Sequence, residues 1–179
     1  MNDRIDLELY NDLLEDYFEI LANNPNQENM TAMLGKVSEH RLSKKFSASV
    51  TNSRGSDAKV IKNNLVKTRN HNLNLKANDL LEMKSSATTI KHEKSKMRVG
   101  NIMGENKENK FDYVVITDMR KDINKTFIIP HDVFYQRAIG TDMNHTQSFV
   151  WNEDYATDRR RRENYTNPNT QLLLEYEVI

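Results

Sequence analysis

Glu82 and Lys84 stand two residues apart in the run Asp79-Leu-Leu-Glu82-Met-Lys84-Ser-Ser, with Gly55-Ser-Asp57-Ala upstream. In an extended strand side chains alternate between faces, so Glu82 and Lys84 point one way. Leu81 and Met83 then point the other way, into a core. Charges inside a sheet are costly unless they are paired or hold a metal. Asp57 adds a second carboxylate. Such a set can bind a divalent cation and activate water next to a phosphodiester. Hydrolysis of that bond needs the anion neutralised, a water deprotonated and the leaving oxygen stabilised. A Mg²⁺ between carboxylates serves all three needs, and a lysine beside it can orient the water. The competing reading is an exposed Glu–Lys pair on a strand, with Asp57 in a Gly-Ser turn. An E-x-K triplet alone is a weak signal. Its context here adds weight: an apolar lead-in, and small residues Ser85-Ser86-Ala87 after it.

The elements that must position these groups follow from periodicity. Residues 3–22 read as a helix with Leu7, Tyr10, Leu14, Phe18 and Leu21 as its apolar stripe, ended by Asn23-Asn-Pro25. A second helix is expected over about 28–45, burying Met30, Met33, Leu34, Val37 and Leu42 and carrying Glu39. A meander of short strands follows: Phe46–Val50, Ala58–Ile61, Leu65–Thr68, Leu73–Leu75 and Leu80–Ser85. Phe111–Thr117 is apolar on both faces, like a central strand. Thr126–Pro130 is a shorter strand that its proline stops, and His131–Ile139 suits a helix. Alternation around Phe149-Val-Trp151 suggests another strand. Thr166-Asn-Pro168-Asn reads as a turn and Gln171–Val178 as a terminal strand.

From roughly Met30 to Phe134 the chain resembles the PD-(D/E)XK nucleases, in particular type II restriction endonucleases. The likeness rests on a helix with an acid (Glu39), Gly-Ser-Asp57-Ala, and Leu-Leu-Glu82-Met-Lys84-Ser-Ser. It continues through Phe111-Asp-Tyr-Val-Val-Ile-Thr-Asp118 and Phe127-Ile-Ile-Pro-His-Asp-Val-Phe134. The resemblance implies an α/β fold, a central mixed β-sheet flanked by helices, preceded by an N-terminal helical segment. It implies that Asp57 and Glu82 bind Mg²⁺, with Mn²⁺ able to substitute, and that Lys84 assists the attacking water. Glu39 matches the acid some members supply from the preceding helix; an exposed helical position explains it equally well. The match departs from the pattern in two places. Ser56 stands where the motif has proline, and 24 residues separate Asp57 from Glu82. That spacer needs an inserted strand or loop at Val66–Asn78. Asp79 is the alternative first acid, but in a turn so close to Glu82 it reaches the site only through an unusual bend.

Basic residues cluster beyond this strand. Lys91, Lys94, Lys96 and Arg98 follow it closely and could bind flanking phosphates. Arg159, Arg160, Arg161 and Arg162 form a run that could grip phosphates or read guanine edges. Asp154, Asp158 and Glu163 could instead neutralise that run. Asn70, Asn72, Asn74, Asn101 and Asn144 are conceivable readers of adenine edges.

The totals bound the partners. Residues 1–28 carry −7, residues 29–104 carry +10 and residues 105–179 carry −3, summing to zero. A polyanion-facing middle section explains this, and so does mutual neutralisation within the fold. A zero total argues against coating nucleic acid regardless of sequence. With no cysteine, thiolate chemistry is excluded, and a reducing cytoplasm is expected. No apolar run approaches a membrane span, so no membrane partner is expected. The histidines at 40, 71, 92, 131 and 145 lack zinc spacing, and no Walker loop exists to take a nucleotide cofactor.

The expectation is a single nuclease domain over 1–179: an N-terminal helix to residue 25, a catalytic core at 26–135 and a DNA-contacting C-terminal region at 136–179. Its substrate would be double-stranded DNA at a specific, palindromic site, cut by a homodimer whose two-fold matches the site. The acidic N-terminal helix would repel DNA and is the candidate dimer surface. A junction or repair nuclease of the same fold, a DNA-binding protein without catalysis and a protein-interaction module are the rivals.

Overall fold

The structure, a computed structural model, describes residues 28–51, 56–86, 96–99, 102, 111–119, 124–139, 149–152, 155 and 167–179. The expected helix at 3–22, Lys91, Lys94 and Arg159–Arg162 lie outside the described residues. In chain order the elements are α1 (Glu28–Lys45), β1 (Ala48–Val50), β2 (Ala58–Val60), β3 (Asn64–Lys67), β4 (Asn72–Leu75) and β5 (Leu80–Ser86). There follow β6 (Lys96–Val99), β7 (Tyr113–Asp118), β8 (Lys125–Pro130), α2 (His131–Arg137), β9 (Phe149–Asn152) and α3 (Pro168–Glu175).

Five strands form one sheet in the order β1-β2-β5-β7-β8. The β5–β7 pair is parallel and the other pairs are antiparallel, so the sheet is mixed. The strand read as apolar on both faces is indeed central: Val114 to Asp118 are all buried, between β5 and β8. Its alternate side chains feed two cores. On one face Leu81, Met83, Val115 and Ile128 pack with Leu42 and Phe46 at the end of α1. On the other, Val114, Ile116, Phe127 and Ile129 meet Phe134, Trp151 and Leu172. Burying side chains of this size contributes roughly 1.5–3 kcal/mol each, so these two layers fix where β5 lies.

The inserted segment required between the two acids is a hairpin, β3–β4. Its Val66 and Leu75 join the core on the α1 side. β6 pairs with β9 as a separate two-stranded ladder and lies beside β5.

The expected terminal strand at Gln171–Val178 is a helix instead. The Asn167 side chain accepts from the Asn169 N–H at 2.9 Å, and Pro168 takes the first helical turn. Asn followed by Pro is therefore an N-cap, with the missing proline donor at a position that needs none. Leu172 and Leu173 then fall on the buried side. Only Glu177 and Val178 make strand bridges, to Phe127 and Thr68.

Glu177 fastens this tail. It forms ion pairs with Arg69, beyond β3, and with Lys125 of β8. Burial works against its ionisation, but hydrogen bonds and charge from Lys125 and Arg69 prevail and lower its pKa. The hydrogen bonds to Arg137 likewise lower that of Glu175. Carboxyls depressed in the fold stabilise it above the ordinary glutamate range and lose that contribution as pH falls through their folded values. Glu177→Ala is therefore expected to cost roughly 1–2 kcal/mol in urea denaturation at neutral pH, half-exposed Arg69 adding little. The difference from wild type should shrink on acidification.

Candidate functional site

β5 is held in register from both sides. On the β7 side, Leu80 N–H donates to Asp112 Oδ2 and Asp112 N–H donates to Leu80 O, both at 2.8 Å. The parallel ladder then sets Glu82 opposite Val114 and Lys84 opposite Ile116. Glu82 and Lys84 thus share a pleat face with apolar neighbours, while Leu81 and Met83 are buried on the other. This is the alternation expected of the E-x-K strand.

On the β2 side the ladder ends in a side chain. Asp57 N–H donates to Leu81 O at 2.8 Å, and Met83 N–H donates to Asp57 Oδ2 at 2.7 Å. The carboxylate takes the place a main-chain carbonyl would hold, which aims it along β5. Thr51 steadies this bend: its N–H donates to Asp57 O at 2.8 Å, and its hydroxyl donates to Ser56 O at 3.0 Å. Lys84 Nζ lies 2.5 Å from Glu82 Oε1 and 3.7 Å from Asp57 Oδ2. The two acids and the lysine singled out in the sequence therefore converge.

Their charges do not balance. Burial pushes the Glu82 carboxyl up, the Lys84 ammonium opposes that shift, and the charges of Asp57 and Glu39 add to it. Glu39 on α1 is close enough to act on Glu82, but its carboxylate pairs with Lys36 Nζ at 2.9 Å. Among the described residues, three acids (Asp57, Glu82 and Glu39) face two bases (Lys84 and Lys36) here, with Glu82 buried. Among the described residues no three His, Cys, Asp or Glu side chains are grouped as a ready-made metal site. A cation here would rest on Asp57 and Glu82, with Glu39 behind them.

A carboxyl raised in the fold stabilises it below the unfolded value and loses that contribution as pH rises through the folded value. Glu82→Gln, which stays neutral, is thus expected to melt at or above the wild-type temperature at neutral pH. Its advantage should shrink as pH falls, and a series of melting curves across pH reads this out.

Asp79 is occupied elsewhere. Its Oδ2 accepts from Lys76 N–H at 2.7 Å and its carbonyl accepts from Val60 N–H at 2.8 Å, closing the turn that contains Asn78 at φ 81°. Lys96 and Arg98 lie on β6. Lys36 was not singled out in the sequence, although its spacing of three from Glu39 is a helical neighbour's. Asp118 was also passed over as a site residue. It ends β7 fully buried and accepts from the Tyr155 hydroxyl at 2.9 Å, and Trp151 Nε1 donates to that hydroxyl at 3.2 Å. The acid was visible at the end of an apolar strand, but a partner 37 residues away was not.

No family model matches the chain, and no curated protein matches it. Among solved structures, a bacterial homing endonuclease, I-Ssp6803I, is similar at a TM-score of 0.39 and 16% identity, over 83% of this chain and 92% of that one. A likeness of that size carries no functional argument, which rests on the side chains instead. Among the described residues no helix is long and apolar enough to cross a membrane.

Proposed function

We propose that this chain is a divalent-cation-dependent endonuclease of double-stranded DNA. The observation that carries the proposal is the meeting of Asp57, Glu82 and Lys84 at the β2–β5 junction. Asp57 and Glu82 would hold Mg²⁺, or Mn²⁺ in its place. Both are oxygen donors suited to a hard cation, and the charge of Asp57 beside buried Glu82 favours one. When bound, such an ion neutralises the phosphate and lowers the pKa of the attacking water. Lys84 donates from Nζ to that water, orienting it, and stabilises the negative charge that develops as the bond breaks. Apolar Val114 and Ile116 beside the pair exclude bulk water, which strengthens each of these charges. β6 lies beside the same strand, and its Lys96 and Arg98 would bind flanking phosphates.

The finer reading is a site-specific enzyme of the type II restriction kind, working as a homodimer on a palindrome. One active centre per strand then follows from the two-fold. The test is incubation with plasmid DNA and Mg²⁺, with sequencing of the product ends. Wild type should give discrete fragments, and Glu82→Ala should give none. A smear, or cutting confined to branched DNA, would keep the chemistry and remove the restriction reading. No Mg²⁺-dependent cleavage of any duplex would remove both.

A further inference from the structure

The β3–β4 hairpin interrupts the chain between Asp57 and Glu82, and its composition is unusual. Residues 58–76 hold five bases, five asparagines and no acid. The ladder pairs Leu65 with Asn74 and Lys67 with Asn72. These four side chains share one face, and all four are exposed. Leu65 is 55% exposed, although its strand neighbour Val66 is buried in the core. Among the described residues neither the Asn72 nor the Asn74 amide has a hydrogen-bond partner. The face thus shows water an apolar side chain, a cation and two unengaged amides.

The ribbon that carries this face is fixed on its back and at its tip. Val66 and Leu75 anchor it in the core. At the tip, Arg69 N–H donates to Glu177 O at 2.8 Å and Asn70 N–H donates to Glu175 O at 3.1 Å. The Arg69 guanidinium is committed to Glu177. Rigidity of this kind lowers the ordering cost of binding. The ribbon segment leaves the sheet after Val60, three residues beyond Asp57, and the chain returns to it at Leu80, two residues before Glu82.

We propose that this β-ribbon is the sequence-reading element of the protein, lying in the major groove of duplex DNA next to the cleaved phosphate. The proposal rests on the nuclease reading above. The major groove admits a two-stranded ribbon, asparagine can bind the adenine N6/N7 edge bidentately, and an apolar side chain meets the thymine methyl. The cross-strand neighbours Leu65 and Asn74 together match both halves of an A·T pair. Lys67, beside Asn72, supplies a phosphate contact, and the acid-free segment is complementary to the polyanion.

The test selects a random-sequence duplex library on the full-length protein in Ca²⁺, at several salt concentrations, and sequences what is retained. Wild type should enrich a motif containing A·T pairs. Asn72→Ala with Asn74→Ala should lose roughly 5- to 150-fold preference at those pairs. Lys67→Ala should weaken binding to all sequences alike and reduce the salt slope by about 1. All three positions are exposed, so folding should survive, and melting curves check it. An unchanged motif in the double variant together with an unchanged slope in Lys67→Ala overturns the proposal, as does a wild type that retains no duplex. Mg²⁺-dependent plasmid cleavage, measured in parallel, separates that failure from failure of the nuclease reading.

Discussion

Lys84→Ala should reduce turnover about 10²- to 10⁴-fold while leaving duplex affinity within a few-fold, because the lost group assists proton transfer rather than docking. The geometry supplies the reason. Lys84 Nζ sits between the carboxylate of Asp57, which accepts from the Met83 N–H of β5, and that of Glu82, two residues earlier on the same strand, so its position is tied to the sheet. Its removal also takes away the cation that, among the described residues, opposes the upward shift of Glu82 caused by burial and acidic neighbours. The pH profile of residual cleavage should therefore move to more alkaline values than in wild type. Lys84→Arg keeps the charge but replaces a compact ammonium by a planar fork, so it should recover the pH profile more fully than the rate. Single-turnover cleavage against pH, with affinity measured by fluorescence anisotropy, checks all of this. Near-normal turnover in Lys84→Ala would end its assignment. A large loss of affinity would recast Lys84 as a DNA-binding residue.

Most elements around this site were legible because their patterns are local. The strand at Leu80–Ser86 alternates as a half-buried strand must, and α1 matches its expected span of 28–45. The long spacer between Asp57 and Glu82 demanded an insertion, and β3–β4 fills it. What failed was a contest between short-range signals. Leu172-Leu173-Leu174 after Asn-Pro-Asn suits a buried strand or a buried helix, and only the Asn167 cap decides in favour of the helix. What could not be read at all depends on register. The Met83 N–H to Asp57 contact joins residues 26 apart, and a one-residue slip of β2 would turn Asp57 to the opposite face. The upward shift of the Glu82 carboxyl is of the same kind, since it follows from burial in the sheet opposite Val114.

Asp57 carries both a chemical and a structural task, and two substitutions separate them. In Asp57→Asn the amide oxygen can still accept from Met83 N–H, so the end of the β2–β5 ladder survives. The negative charge does not. If Asp57 and Glu82 hold the cation together, turnover should fall about 10³-fold or more, the several kcal/mol expected for loss of metal-assisted stabilisation. Saturating Mg²⁺ or Mn²⁺, at about 100 times its dissociation constant, should stabilise wild type by about 2.7 kcal/mol and this variant hardly at all. Without metal, Asp57→Asn should be no less stable than wild type, because one of the charges that raises the Glu82 pKa has gone. Asp57→Ala removes the acceptor as well and leaves the N–H of buried Met83 unpaired. It should be less stable than Asp57→Asn by roughly 1–3 kcal/mol. Cleavage rates and cation-dependent melting of both variants decide the matter. An active Asp57→Asn removes the ligand role, and equal stability of the two variants removes the clamp. Loss of both together would leave the approach of Asp57 to Lys84 as an ordinary ion pair.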